Sequence, residues 1–133
     1  MIVIKILSGP HAGKEREVNN NMYEGAEIDP VQLLHQLVNI GSVWKIDFSR
    51  ANPAEIIDWG RADMVARIMR ALVHGRVVEF MGVQYRAQSR DEIPRLAGEI
   101  EDAIVYSGHH VVVARDDENG VLIEIGQREH PLQ

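Results

Sequence analysis

The sequence predicts an α+β fold, an antiparallel or mixed sheet built from three hairpins plus one strand, with about three to four helices packed on it. Three observations predict this. Apolar stripes at helical spacing occur at Val31–Val38, Met64–Val73 and Ile93–Ile104. Hairpin signals occur at the N-terminus, at Val77–Ala87 and at His109–Ile125. Capping residues and glycines punctuate the chain between them. Because hairpins dominate, antiparallel pairing is expected to dominate as well.

At the N-terminus, Ile2, Ile4 and Ile6 alternate with Val3, Lys5 and Leu7. Both faces of this strand are largely apolar, which places it inside a sheet or against a partner. A turn and a second short strand carry the chain to Val18. Asn19–Glu27, with its three asparagines and Gly25, predicts a loop. The whole chain, 1–133, reads as a single domain in which 1–26 is a possible small N-terminal hairpin lobe.

Asp29 and Pro30 start a helix, the carboxylate capping free amides and the proline fitting the first turn. Val31, Leu34, Leu37 and Val38 form its buried stripe, and Gly41 closes it. Val43–Ser49 predicts a half-buried strand with Trp44, Ile46 and Phe48 on the core side. Asn52 and Glu55 form a capping box for a short helix through Trp59, which Gly60 should break or kink before the central helix.

That central helix presents Met64, Val65, Ile68, Met69, Leu72 and Val73 on one side and Arg67, Arg70 and His74 on the other, and ends at Gly75. In the hairpin that follows, a turn at Met81–Gly82 pairs Phe80 with Val83, Glu79 with Gln84 and Val78 with Tyr85, so every pair sorts by face. Ser89–Glu92 opens a helix with Ile93, Leu96, Ala97, Ile100 and Ile104 inward, tolerating Pro94 in the first turn and ending near Gly108. The last hairpin should turn at Asn119–Gly120, which sets Val112, Ala114, Ile123 and Ile125 on one face and Val111, Val113 and Leu122 on the other. From Gly126 the polar tail is expected to fray.

Composition narrows the function classes. There is no cysteine, which removes disulfides, thiolate metal sites and cysteine nucleophiles. The N-terminal MIVIKIL is too short for the apolar region of a signal peptide, and no apolar run approaches the ~18 residues that span a bilayer. A cytoplasmic protein is the expectation. The net charge of −6 is uneven: −3 over residues 1–60, +4 over 61–90 and −7 over 91–133. Each run serves as a solvated face of its own element, or the basic middle and acidic tail complement one another within one chain or between two copies.

No motif assigns chemistry. Gly9–Lys14 after an apolar strand has three residues between its glycines where a P-loop needs four, and Glu15 stands where magnesium requires a hydroxyl. Ser8–His11, Gly13, Lys14 and Val18, within Val3–Val18, resemble the turn of the KOW motif of small barrels in ribosomal and transcription-elongation proteins, with Arg16 at a position where that pattern has a glycine. The resemblance covers about an eighth of the chain and implies RNA or ribosome contact. An ordinary hairpin turn uses the same glycine and proline chemistry.

His109 and His110 point to opposite faces of a strand and cannot chelate one metal together. Asp116–Gly120 places Arg115 and Gly126 where a calcium loop needs ligands. No metal, cofactor or catalytic residue is therefore assigned. The candidate anion- or ligand-binding residues are His11 and Lys14 on the first turn and Arg67, Arg70 and His74 on the central helix. Asp63, one turn before Arg67, offers it an ion pair.

Two-faced apolar strands and charge asymmetry favour a non-enzymatic protein-interaction module that self-associates as a homodimer or binds another protein. An RNA- or anionic-ligand-binding accessory protein is the alternative, although acidity and only seven aromatics weigh against nucleic acid. An enzyme requires a histidine within hydrogen-bond reach of a carboxylate in a pocket.

Overall fold

Hydrophobic alternation at the N-terminus produces the first sheet. In the computed structural model, which describes residues 1–18 and 29–126, β1 (Ile2–Ile6) is the central strand between β2 (Glu15–Val18) and β3 (Trp44–Asp47), antiparallel to both. Ile4 lies opposite Arg16 and Ile46, and Ile6 opposite Trp44, so these side chains share one face. Ile2, Ile4, Val18 and Trp44 are buried there. The other face carries Val3, Lys5, Glu15, Glu17, Lys45 and Asp47, so the outward side of β1 is largely charged.

Helix α1 (Pro30–Asn39) begins where Asp29 Oδ1 accepts the Val31 amide at 3.0 Å, and it buries Leu34, Leu37 and Val38. Helix α2 (Pro53–Val73) opens on a reciprocal capping box: the Asn52 amide donates to Glu55 Oε1 at 3.1 Å and the Glu55 amide to Asn52 Oδ1 at 2.9 Å. Glu55 Oε1 also accepts the Met1 ammonium at 2.8 Å. The break expected at Gly60 is absent. One helix of 21 residues runs through it, because a lone glycine costs only about 1 kcal/mol relative to alanine and neighbouring burial outweighs that. Trp59, Ala62 and Ala66 are fully buried around it, the two alanines being small residues that a pattern of large apolar side chains does not register.

The strands form two sheets instead of one. In the second, β4 (Val77–Phe80), β5 (Val83–Tyr85), β6 (Val111–Asp117) and β7 (Gly120–Ile125) lie in the order β5-β4-β7-β6. The β4–β5 hairpin has the register read from sequence, and Met81 and Gly82 both take positive φ in its turn. Between β4 and β7 the pairing is parallel. A 3-10 turn at Arg90–Glu92 leads into α3 (Ile93–Ser107), which buries Ile93, Leu96, Ala97 and Ile100 and ends on left-handed Gly108.

The last hairpin departs from the expected register. Asp117 pairs with Gly120, so Glu118 and Asn119 make the turn, with the Asn119 amide donating to Asp117 Oδ1 at 2.9 Å. Sliding the turn by one residue moves every partner by two and so keeps the faces, with Asp116 opposite Val121 on the buried side. Farther from the turn the parity differs: Val111 and Val113 share a face with Ile123 and Ile125, and Val112 points the other way. A register shift between Val113 and Arg115 then leaves Ala114 unpaired as a bulge. This extra residue, and not the turn, exchanges the faces of Val111 and Val113 with that of Val112.

The chain divides into two compact units, Met1–Ala66 and Arg67–Gln133, the division falling inside α2. The first holds the β2-β1-β3 sheet and α1; the second holds the four-stranded sheet and α3. The expected loop at Asn19–Glu27 and the polar tail beyond Gly126 lie outside the described residues. Among the described residues, no helix is long and apolar enough to cross a membrane.

Candidate functional site

The first unit contains a cavity of about 600 Å3 between α1 and the β1–β2 hairpin. Its aliphatic surface comes from Ile4 and Ile6 of β1 and from Leu33, Leu37 and Ile40 in and just after α1. Strand alternation turns both isoleucines to this side, and a spacing of four then three residues lines up the helical side chains. Gln36 and Asn39 add two amides.

A cationic rim borders that surface. His11, Lys14 and Arg16 line the cavity, all exposed to solvent. The turn holds the first two together, since the Lys14 amide donates to the His11 carbonyl at 3.1 Å while the Ile6 amide donates to the Lys14 carbonyl at 3.0 Å. Gly9, at φ +92°, packs so closely that a Cβ there would lie 2.5 Å from Ser42 Oγ, and Ser8 Oγ accepts the Val43 amide at 3.1 Å. These contacts fix the turn against the residues that follow α1. Among the described residues, no carboxylate lies within ion-pairing distance of Lys14 or Arg16. Glu15 is the one acid on the described lining, and its pairing with Lys5 sets it on the opposite face of the sheet.

Arg16 was absent from the residues singled out by sequence. Its signal was available: in Glu15-Arg16-Glu17-Val18 the arginine shares a face with buried Val18, so it points toward the helix-covered side of an edge strand. An inward-facing charge there also discourages pairing with the edge of another sheet. On the far face, the Ser49 hydroxyl, together with the Ser49 amide that donates to Asp47 Oδ1 at 2.9 Å, holds the Asp47 carboxyl below the usual carboxylate range. That group is remote from the cavity lining.

The other candidates belong to the second unit and are engaged differently. Arg67 NH1 and Arg70 NH2 both donate to Asp116 Oδ2, at 2.5 and 2.7 Å. The Arg70 and Asp116 side chains are each only 10% exposed, so this is a largely buried cluster instead of the exposed, salt-bridged helix face expected from spacing. Complementarity between the basic middle and the acidic tail is thus realised within one chain. Asp63 accepts the Trp44 indole N–H at 2.6 Å. His74 lies exposed just past the end of α2.

Among the described residues, no histidine hydrogen-bonds a carboxylate, and no group of three His, Asp or Glu side chains is placed to hold a metal ion. No protein-family model, curated protein or solved structure matches the chain.

Proposed function

We propose that this protein is a non-enzymatic binding module for an anionic ligand, held at the cavity of the first unit. One observation supports the reading above others: two cationic side chains, Lys14 and Arg16, without acidic partners among the described residues and with His11 beside them, border an aliphatic cavity of ligand size. Exposed cations guide an anion to the opening, and the cavity keeps it there. An anionic naphthalene dye, 8-anilinonaphthalene-1-sulfonate, is a suitable probe. It should bind saturably at one site, more weakly as salt rises. Because Lys14 and Arg16 are exposed, Lys14→Glu with Arg16→Glu should keep the parent melting temperature while weakening dye binding roughly tenfold. Undiminished binding to that double variant at low salt removes the proposal.

A second reading, self-association as a homodimer, draws on exposed apolar side chains in the other unit. Tyr106 is 85% exposed and Val105 60%, at the end of α3, and Ile125 is 45% exposed at the end of β7. The expected result is a dimer by light scattering at high micromolar concentration that persists in high salt and is weakened by Tyr106→Ser. A salt-insensitive monomer at that concentration refutes it.

A further inference from the structure

We propose that the ligand of this cavity is an amphipathic acid: a carboxylate carried on a linear or compact apolar body. This inference rests on the anion-binding reading of the same site and adds the apolar body to it. The geometry that motivates it is the adjacency of two unlike surfaces. Arg16 stands directly across from Ile4 on neighbouring strands, with both side chains on the same face. Paired strand residues have Cβ atoms about 5 Å apart, so a guanidinium and the aliphatic surface begin side by side. Lys14 continues the cationic side along the turn, with His11 beside it; Leu33, Leu37 and Ile40 continue the apolar side along the helix.

An anion that is polar throughout fits poorly. Its hydration would be lost against isoleucine and leucine with few replacement hydrogen bonds, since Gln36 and Asn39 are the only amide side chains on the described lining. A nucleotide fits no better. The described lining has no Phe, Tyr or Trp on which a base could stack. A neutral apolar molecule would use the aliphatic surface and leave the cations without a role. A carboxylate on an alkyl or aryl body uses both, its head group meeting the planar guanidinium fork of Arg16 and its body covering the side chains behind it.

The test is calorimetric titration of the full chain with four compounds: decanoate below its micelle concentration, decanol, acetate and adenosine monophosphate. Decanoate should bind at one site, with decanol and acetate at least tenfold weaker and adenosine monophosphate unable to displace it. Ile40 is 42% exposed, so Ile40→Ser should leave the melting temperature unchanged while weakening decanoate several-fold and acetate not at all. If acetate or adenosine monophosphate binds as tightly as decanoate, and the Lys14→Glu, Arg16→Glu variant loses it, the amphipathic acid is wrong and the anion site stands. Equal binding of decanol and decanoate overturns both, as does failure of every anion to bind.

Discussion

Replacing Gly120 with alanine is expected to lower stability by roughly 3 kcal/mol or more, a large effect for one methyl group. Gly120 has φ +126°, a conformation that L side chains rarely adopt, and a Cβ at this position would overlap the Val77 carbonyl oxygen. Val77 is its partner in the parallel β4–β7 ladder, so the collision is with backbone and cannot be relieved by a rotamer change. Relief requires β7 to move off β4, which would pull apart the Val78–Val121 and Phe80–Ile123 pairs, all four of them buried. Urea denaturation measures the loss. A cost below about 1 kcal/mol would mean that the β4–β7 pairing is wrong.

Asp116→Ala is the second large effect, with an expected loss of about 2–4 kcal/mol, discounted from the 3–5 kcal/mol typical of a fully buried pair because Arg67 remains partly open to water. The substitution removes a carboxylate to which both guanidiniums donate, so that two like charges lose the anion they share. Asp116→Asn keeps an acceptor without the charge and should fall between the parent and the alanine variant. A sharper comparison replaces all three, Arg67→Met and Arg70→Met with Asp116→Leu. If the cost of Asp116→Ala comes from stranded charge, the triple variant should recover most of the stability, since apolar groups of similar volume commonly substitute for buried ion clusters at little cost. Triple and single variants equally destabilised would locate the loss in packing instead.

These two residues also mark where sequence reasoning reached its limit. Features set by neighbouring residues were legible: the Asp29 and Asn52–Glu55 caps, the Met81–Gly82 turn and its register, and the central place of the two-faced strand β1. Each depends on interactions within a few residues or on simple alternation. The last hairpin was misread because Asn119–Gly120 has ideal turn chemistry, whereas Gly120 is needed for its close approach to Val77, more than forty residues away in the chain. Moving the turn by one residue shifted every partner by two and left the faces next to it as read.

The bulge at Ala114 compounded the error. Without it, Ala114 and Val112 would stand opposite Ile123 and Ile125; with it, Val113 and Val111 take those positions, while Asp116, on the turn side of the bulge, stands opposite Val121 and meets Arg67 and Arg70. A bulge depends on how two strands settle against the rest of the unit, so periodicity alone does not locate it. The two-sheet division is non-local for the same reason. Half of the candidate cavity was nevertheless visible, because His11 and Lys14 lie on a turn whose glycines announce it. Arg16 was hidden by attention to the turn instead of to the alternation of the strand that follows.

Methyl-resolved NMR of the full chain during a decanoate titration tests the central claim most directly, because it shows where the ligand lies as well as whether it binds. Saturable shifts should concentrate on the methyl groups of Ile4, Ile6, Leu33, Leu37 and Ile40, and should be lost in the Lys14→Glu, Arg16→Glu variant. Shifts centred instead on Val105, Val112 and Ile125, or an unchanged spectrum at saturating decanoate, would contradict the assignment of this cavity as the binding site.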